Sequence, residues 1–92
     1  METFWVYILY SAKLDRYYIG STGDLARRLA EHERGKTAYS RQGSPWVLKY
    51  SETYSSRSEA YRREMELKGW KSRKRIESLI AAGAQLGSAP PA

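Results

Sequence analysis

Apolar and polar positions change their spacing along this chain in a way that separates strands from helices. Residues 4–10 (Phe-Trp-Val-Tyr-Ile-Leu-Tyr) are all aromatic, β-branched or aliphatic, which predicts a strand covered on both faces. Residues 16–20 (Arg-Tyr-Tyr-Ile-Gly) predict a second strand that ends at a glycine. The polar stretch Ser11 to Asp15 between them suits a hairpin connection. A four-residue loop at Ser11–Leu14 pairs Tyr10 with Asp15. That register sets Tyr7 opposite Tyr18, and Val6 opposite Ile19 on the other face.

Thr22-Gly23-Asp24 reads as a helix start, with Asp24 at the favourable end of the dipole. That helix runs to about Arg34 and stops at Gly35, with Leu25 and Leu29 as its buried stripe. Gly35 to Ser44 is polar and basic, the composition of a mobile loop. Pro45 introduces a third strand at Trp46–Tyr50, with Lys49 facing outward. Ser56 and Glu59 form a capping box for a helix that continues to about Lys68 and breaks at Gly69. A last helix, about Ser72 to Ala82, carries Ile76, Leu79 and Ile80 on one face and ends at Gly83. The order is β-β-α-β-α-α: one α+β domain over residues 1–83, a small sheet with helices around it. Residues 84–92, small and proline-rich toward the end, predict a disordered tail.

Composition narrows the chemistry. The 92 residues leave room for one thin core. The absence of cysteine excludes disulfides, disulfide-linked partners and thiolate metal sites, and a single histidine excludes multi-histidine zinc sites. No apolar run approaches a membrane span, and Met1-Glu2-Thr3-Phe4 lacks the pattern of a signal peptide, so a cytoplasmic bacterial-type protein is expected. Sixteen Lys and Arg against ten Asp and Glu give a net charge of +6, the electrostatic footprint of a polyanion binder.

Several residues stand where packing alone would not put them. At 100° per residue Ala60, Glu64 and Leu67 share one helix stripe. A carboxylate therefore stands in the face that should bury, and needs either an ion-pair partner or a metal ion. Glu66 points to solvent. Arg28 and His32, four apart, flank the Leu25/Leu29 stripe, while Arg27 and Glu31 lie on the opposite side. His32 suits a structural hydrogen bond as well as proton transfer. Tyr7 and Tyr18 form a phenol pair on one sheet face. Beside an arginine, a histidine and a carboxylate, such a pair suits phosphodiester hydrolysis: the phenol or imidazole takes a proton from water, and the arginine offsets phosphoryl charge. A carboxylate-held divalent ion adds Lewis acidity.

Val6-Tyr7-Ile8, Tyr18-Ile19-Gly20-Ser21-Thr22, Asp24-Leu25-Ala26-Arg27-Arg28-Leu29, His32 and the later Arg63-Glu64-Met65-Glu66-Leu67-Lys68-Gly69-Trp70 together resemble the GIY-YIG endonuclease superfamily, in particular its small single-domain UPF0213-type bacterial members. The resemblance covers about residues 4–83. It implies a three-stranded antiparallel sheet flanked by helices, and hydrolysis of DNA phosphodiester bonds with one divalent ion, Mg²⁺ or Mn²⁺. Carried over by position, Tyr7 is the base or water-positioning phenol, Tyr18 its partner, Arg28 the phosphate contact, His32 an aid to proton transfer, and Glu64 the metal ligand. Two departures stand out: the first motif reads Trp5-Val6-Tyr7 without its glycine, and the chain contains no asparagine.

The expected substrate is DNA, single-stranded, branched or duplex, in repair or recombination. Arg34, Lys36 and Arg41 on one side, and Lys68, Lys71, Arg73, Lys74 and Arg75 on the other, are candidates for tracking phosphates. Tyr39 and Trp70 are candidates for stacking on bases. The alternative is a non-catalytic nucleic-acid-binding module that keeps the fold.

Overall fold

The computed structural model describes residues 2–85. Its middle strand, β1 (Phe4–Ser11), lies between β2 (Arg16–Thr22) and β3 (Trp46–Tyr54), antiparallel to both. The helices are α1 (Leu25–Arg34), α2 (Ala38–Gly43), α3 (Arg57–Trp70) and α4 (Arg73–Gln85). This is the expected three-stranded antiparallel sheet with flanking helices, with the short α2 added. No helix among the described residues is long and apolar enough to cross a membrane.

Alternation along β1 divides the core in two. Phe4, Val6 and Ile8 pack with Ala60 and Leu67 of α3 and Ile76 of α4. Tyr7 and Leu9, on the other face, pack with Trp46 and with Leu25 and Leu29 of α1. The sheet is thus covered by α3 and α4 on one side and by α1 on the other, as the uninterrupted apolar run of β1 requires.

The hairpin differs from the expected register by two residues. Ser11 pairs with Arg16, so Tyr7 lies opposite Gly20, Leu9 opposite Tyr18 and Ile8 opposite Ile19. The loop is therefore Ala12–Asp15 rather than Ser11–Leu14. Ser11 stays in the strand, where its buried Oγ accepts from the Leu14 amide at 3.1 Å. Asp15 closes the turn in the left-handed region at φ 54° and accepts a hydrogen bond from the Tyr10 hydroxyl at 2.5 Å. A shift of two preserves which face each side chain uses. Tyr7 and Tyr18 remain on one face as diagonal neighbours rather than as a direct pair.

The segment Gly35–Ser44, expected as a loop, contains α2. Thr37 and Ser40 form a reciprocal capping box, and the Trp46 indole donates to the Ser40 carbonyl at 2.9 Å. α3 passes through Gly69 rather than breaking there and ends at Lys71, φ 49°, because Trp70 still packs on the core. α4 likewise runs through Gly83 to Gln85. Gly83 meets the Tyr50 ring so closely that a Cβ would lie 2.7 Å from it, so this glycine permits contact with the sheet. Of the predicted tail, residues 86–92 lie outside the described residues. β3 extends four residues past Tyr50 to Tyr54.

That extension carries a buried carboxylate which joins β3 to α3. Glu52 accepts from the hydroxyls of Tyr50 and Tyr54 at 2.6 and 2.7 Å. Arg63 donates to both of its oxygens at 3.0 Å. Burial pushes the Glu52 carboxyl up, but Arg63 and the two phenols outweigh it and hold the group below its ordinary value. Its folded-state pKa therefore lies below the unfolded one. The stabilisation is complete above about pH 5 and is lost as pH falls through the folded value. Glu52→Gln should cost about 3 kcal/mol at neutral pH, since a buried pair loses one charge. Urea melts across the acid range should also show a shallower pH dependence for the variant; equal slopes would mean that Glu52 contributes nothing through its charge.

Candidate active site

Tyr7, Tyr18, Arg28 and His32 gather on the α1 face of the sheet, and each is placed there by a local rule. Tyr7 points inward because of strand alternation, and Gly20 opposite it leaves space for the ring. A Cβ at position 20 would lie 2.5 Å from the Tyr7 oxygen and 2.7 Å from Cζ. The glycine after Tyr18-Ile19 is therefore the seat of the Tyr7 phenol. α1 is fixed at its start by Asp24, which accepts from the Arg27 amide at 3.0 Å. It ends at Gly35 in the left-handed conformation, φ 70°. Within it, Arg28 and His32 stand one turn apart over the sheet.

The rings form a compact cluster. Tyr7 and Tyr18 stack at 6.3 Å between centroids. The His32 ring meets the Tyr18 ring edge-on at 4.7 Å and the Tyr7 ring at 6.3 Å. Trp46 closes the far side, 5.9 Å from His32 and 6.1 Å from Tyr18. Within this cluster lie the Tyr7 hydroxyl and His32 Nδ1, the two buried side-chain polar atoms that no described residue meets in hydrogen-bond geometry, although the Arg28 guanidinium lies near enough to the Tyr7 oxygen to favour its ionised form. Leaving such a group unsatisfied costs about 1–3 kcal/mol, and native folds seldom tolerate it without a functional reason.

The electrostatics follow from the same burial. Desolvation, then the neighbouring Tyr18, push the Tyr7 phenol up to about 12, while the Arg28 guanidinium pulls it down and Glu64 adds a smaller upward push. Burial lowers the His32 pKa, and Arg28 lowers it further; Glu31 and Glu33 oppose both. The imidazole is consequently neutral at pH 7 and able to accept a proton.

Arg27 is 70% exposed and Arg28 36%, in keeping with the helix phase. Glu31 departs from it. Instead of facing water beside Arg27, it is mostly covered and lies within 3.6 Å of Arg27, Arg28 and Lys36. Three cations around one carboxylate leave a local excess of positive charge beside Arg28.

Glu64 stands apart from the other four. It is buried on α3 with Ala60 and Leu67, as the stripe predicts, and therefore belongs to the opposite layer. It meets the edge strand β2 at Ser21, whose hydroxyl donates to Oε1 at 2.6 Å. Lys68 holds Oε2 at 2.7 Å. Glu66 is exposed and pairs with Arg63. Among the described residues no cluster of three or more His, Asp and Glu is arranged to hold a metal ion. Glu64 alone offers a hard oxygen donor of the kind Mg²⁺ or Mn²⁺ takes, the remaining positions being left to water and a substrate phosphate. The residue fits a one-carboxylate site, with one of its oxygens now held by Lys68.

Around the cluster lie three cavities. One of about 280 Å³ is lined by Tyr18, Arg28, His32, Lys36 and Tyr39. Another of about 500 Å³ contains Tyr18, Arg16, Lys68, Lys71 and Arg73. The third, about 340 Å³, gathers Ser21, Arg27, Arg28 and Arg57. The predicted phosphate-tracking residues divide accordingly. Arg34, Lys36, Lys71 and Lys74 are exposed. Arg41 donates to the Gly35 carbonyl at 3.0 Å, and Arg73 is bound by Asp15 and Glu77. Tyr39 is exposed, with its ring centroid 5.7 Å from that of Trp46. Trp70 is covered by Arg75 at 4.1 Å and Arg63 at 5.6 Å, and so is occupied by cation–π contacts. Arg16 and Arg57 were not anticipated, because each reaches its cavity only through tertiary packing. The Glu64–Lys68 pair was readable as an i, i+4 spacing.

Comparison with known proteins agrees with this arrangement. The family model of the GIY-YIG catalytic domain matches residues 3–77. A UPF0213 protein of Staphylococcus haemolyticus is 38% identical over 80 residues, covering 86% of this chain and 96% of its own. Another, from Cronobacter sakazakii, is 39% identical over 82 residues, covering 88% and 84%. The solution NMR structure of a UPF0213 protein from Bacillus halodurans superimposes with a TM-score of 0.56 at 36% identity, covering 87% of this chain and 84% of that one. A nuclease-type domain on this fold, with relatives matched over most of their length, makes the chain a member of the GIY-YIG family and of its UPF0213 group.

Proposed function

We propose that the protein is an endonuclease that hydrolyses phosphodiester bonds of DNA with a divalent ion at Glu64. The observation that carries this reading is the coincidence of the two partnerless buried polar atoms, Tyr7 Oη and His32 Nδ1, with the residues that the family motif singles out. Arg28 lies near enough to both to shift their pKa values, within an excess of positive charge suited to a phosphate.

In the proposed reaction a water oxygen bonds to phosphorus, the bond to the leaving oxygen breaks, the water's proton passes to a base in the cluster, and the leaving oxygen takes a proton from solvent. Arg28 binds the phosphate and offsets its growing charge. Tyr7 orients the water and, in its ionised phenolate form, takes its proton, with Tyr18 packed beside the ring. Neutral His32 is the second proton acceptor in the cluster. Mg²⁺ or Mn²⁺, when bound, supplies Lewis acidity and charge neutralisation. Lys36, Lys71 and the exposed Tyr39 line the approaches, a pairing of cations with a stacking ring that suits single-stranded or branched DNA. One observation favours a second reading, a binding module without catalysis: both oxygens of Glu64 already have partners within the chain.

Incubating the protein with single-stranded, duplex and branched DNA in Mg²⁺, Mn²⁺ or EDTA separates the two. An endonuclease gives EDTA-sensitive cleavage that Glu64→Gln abolishes, while the variant still binds DNA. Binding without cleavage under every condition selects the module.

Arg28→Ala should lower single-turnover rates by roughly 10²–10³, and Arg27→Ala far less. Equal losses from the two would remove Arg28 from the phosphate.

The Tyr7 phenol, raised to about 12, must lose its proton to act as a base, so the wild-type rate should climb with pH through the neutral range. Tyr7→Phe should lower the rate by about 10²–10⁴ and flatten that climb. A variant that keeps the wild-type rate and pH profile would transfer the role to His32.

A further inference from the structure

Glu64 is held by two donors of different character. Ser21 is a short neutral hydroxyl anchored in β2. Lys68 is a charged group on a flexible stem, its side chain 46% exposed against 11% for Glu64. The lysine stands one turn along α3 and lines the 500 Å³ cavity together with Arg16 and Lys71. It thus has two anionic destinations within reach of its stem: the Glu64 oxygen and any phosphate lying in that groove.

We infer that Lys68 is the resident counter-ion of Glu64 and that a divalent ion gains its carboxylate ligand by displacing it. The inference rests on the reading of Glu64 as the ligand. An ammonium 2.7 Å from Oε2 and a divalent cation on the same oxygen repel each other strongly, because the site is too covered for water to screen them fully. The lysine must swing out, and it swings into a groove that already holds Arg16, Lys71 and Arg73 and whose one carboxylate, Asp15, is taken by Arg73. Without nucleic acid, the ion therefore binds against the cost of breaking the ion pair and adding a fourth cation to that groove. With a phosphodiester in the groove, the released ammonium has a partner and that cost falls. Ion and DNA consequently promote each other's binding, reciprocally and through one side chain. Lys68 is here a positioning and gating residue rather than a catalytic one. The lysine also satisfies a buried carboxylate whenever the ion is absent, which an empty site would leave unpaired.

The test measures Mn²⁺ binding without DNA, by counting free hydrated ion in the EPR spectrum. The proteins are wild type, Lys68→Met, Lys68→Gln and Glu64→Gln, each checked by thermal melting. Removing the resident cation should tighten Mn²⁺ binding about tenfold in Lys68→Met and Lys68→Gln, whereas Glu64→Gln should lose the site. Unchanged affinity in both Lys68 variants, with Glu64→Gln still weakened, overturns the counter-ion inference and leaves the metal-ligand reading intact. Wild-type affinity in Glu64→Gln overturns the metal-ligand reading itself.

Discussion

A strand that has no solvent face governs this protein. β1 is paired on both edges and covered on both sides, so every side chain from Val6 to Leu9 is fully buried. Alternation then decides everything that follows. Val6 and Ile8 join α3 and α4 in one core; Tyr7 and Leu9 join α1 in another. A phenol at one of these positions has its hydroxyl removed from water, and only the missing side chain of Gly20 makes room for it. The state of the Tyr7 phenol is thus a consequence of packing: burial raises its pKa and keeps its oxygen out of hydrogen-bond geometry with any described residue.

Three of the carboxylate-centred groups around that strand differ in how completely they are satisfied. Glu52 is fully coordinated by Arg63, Tyr50 and Tyr54, a saturated joint between β3 and α3. Glu31 collects Arg27, Arg28 and Lys36 and leaves positive charge over. Glu64 has one neutral donor anchored in β2 and one half-exposed cation on a long stem. The last two are the ones at which the proposed reading places a phosphate and a metal ion; they belong to the α1 and α3 layers, on either side of the edge strand β2.

Much of this was legible in residue order because it depends on short-range periodicity. The doubly apolar run marked β1, Asp24 and Gly35 bounded α1, and the Ala60/Glu64/Leu67 stripe exposed the buried carboxylate. What escaped was decided by contacts distant in sequence or by competing turn chemistry. The hairpin register turned on Ser11 Oγ capping the loop and Asp15 accepting a left-handed conformation. α2 depended on a Thr37/Ser40 exchange and on Trp46 reaching back to Ser40. Gly69 and Gly83 looked like helix stops, yet Trp70 and Tyr50 supply packing that carries each helix past its glycine. Glu52 looked like an ordinary polar strand residue because its partner Arg63 arrives only with α3. At the site, helical phase put Arg28 with His32 and strand alternation put Tyr7 with Tyr18, while the family resemblance brought the two pairs together. The identity of the group holding Glu64 needed the three-dimensional arrangement of β2 and α3.

The central claim is that the cluster beneath α1 holds a phosphodiester for hydrolysis, and a co-crystal structure addresses it most directly. The protein would be Tyr7→Phe, to slow turnover, with a short DNA strand and Mn²⁺. The account predicts a backbone phosphate bound by Arg28 over the Tyr18 ring and the substituted ring beside it, with Mn²⁺ held by Glu64. DNA seated elsewhere, with Arg28 still bound only to Glu31 and Glu64 still bound only to Ser21 and Lys68, would contradict it.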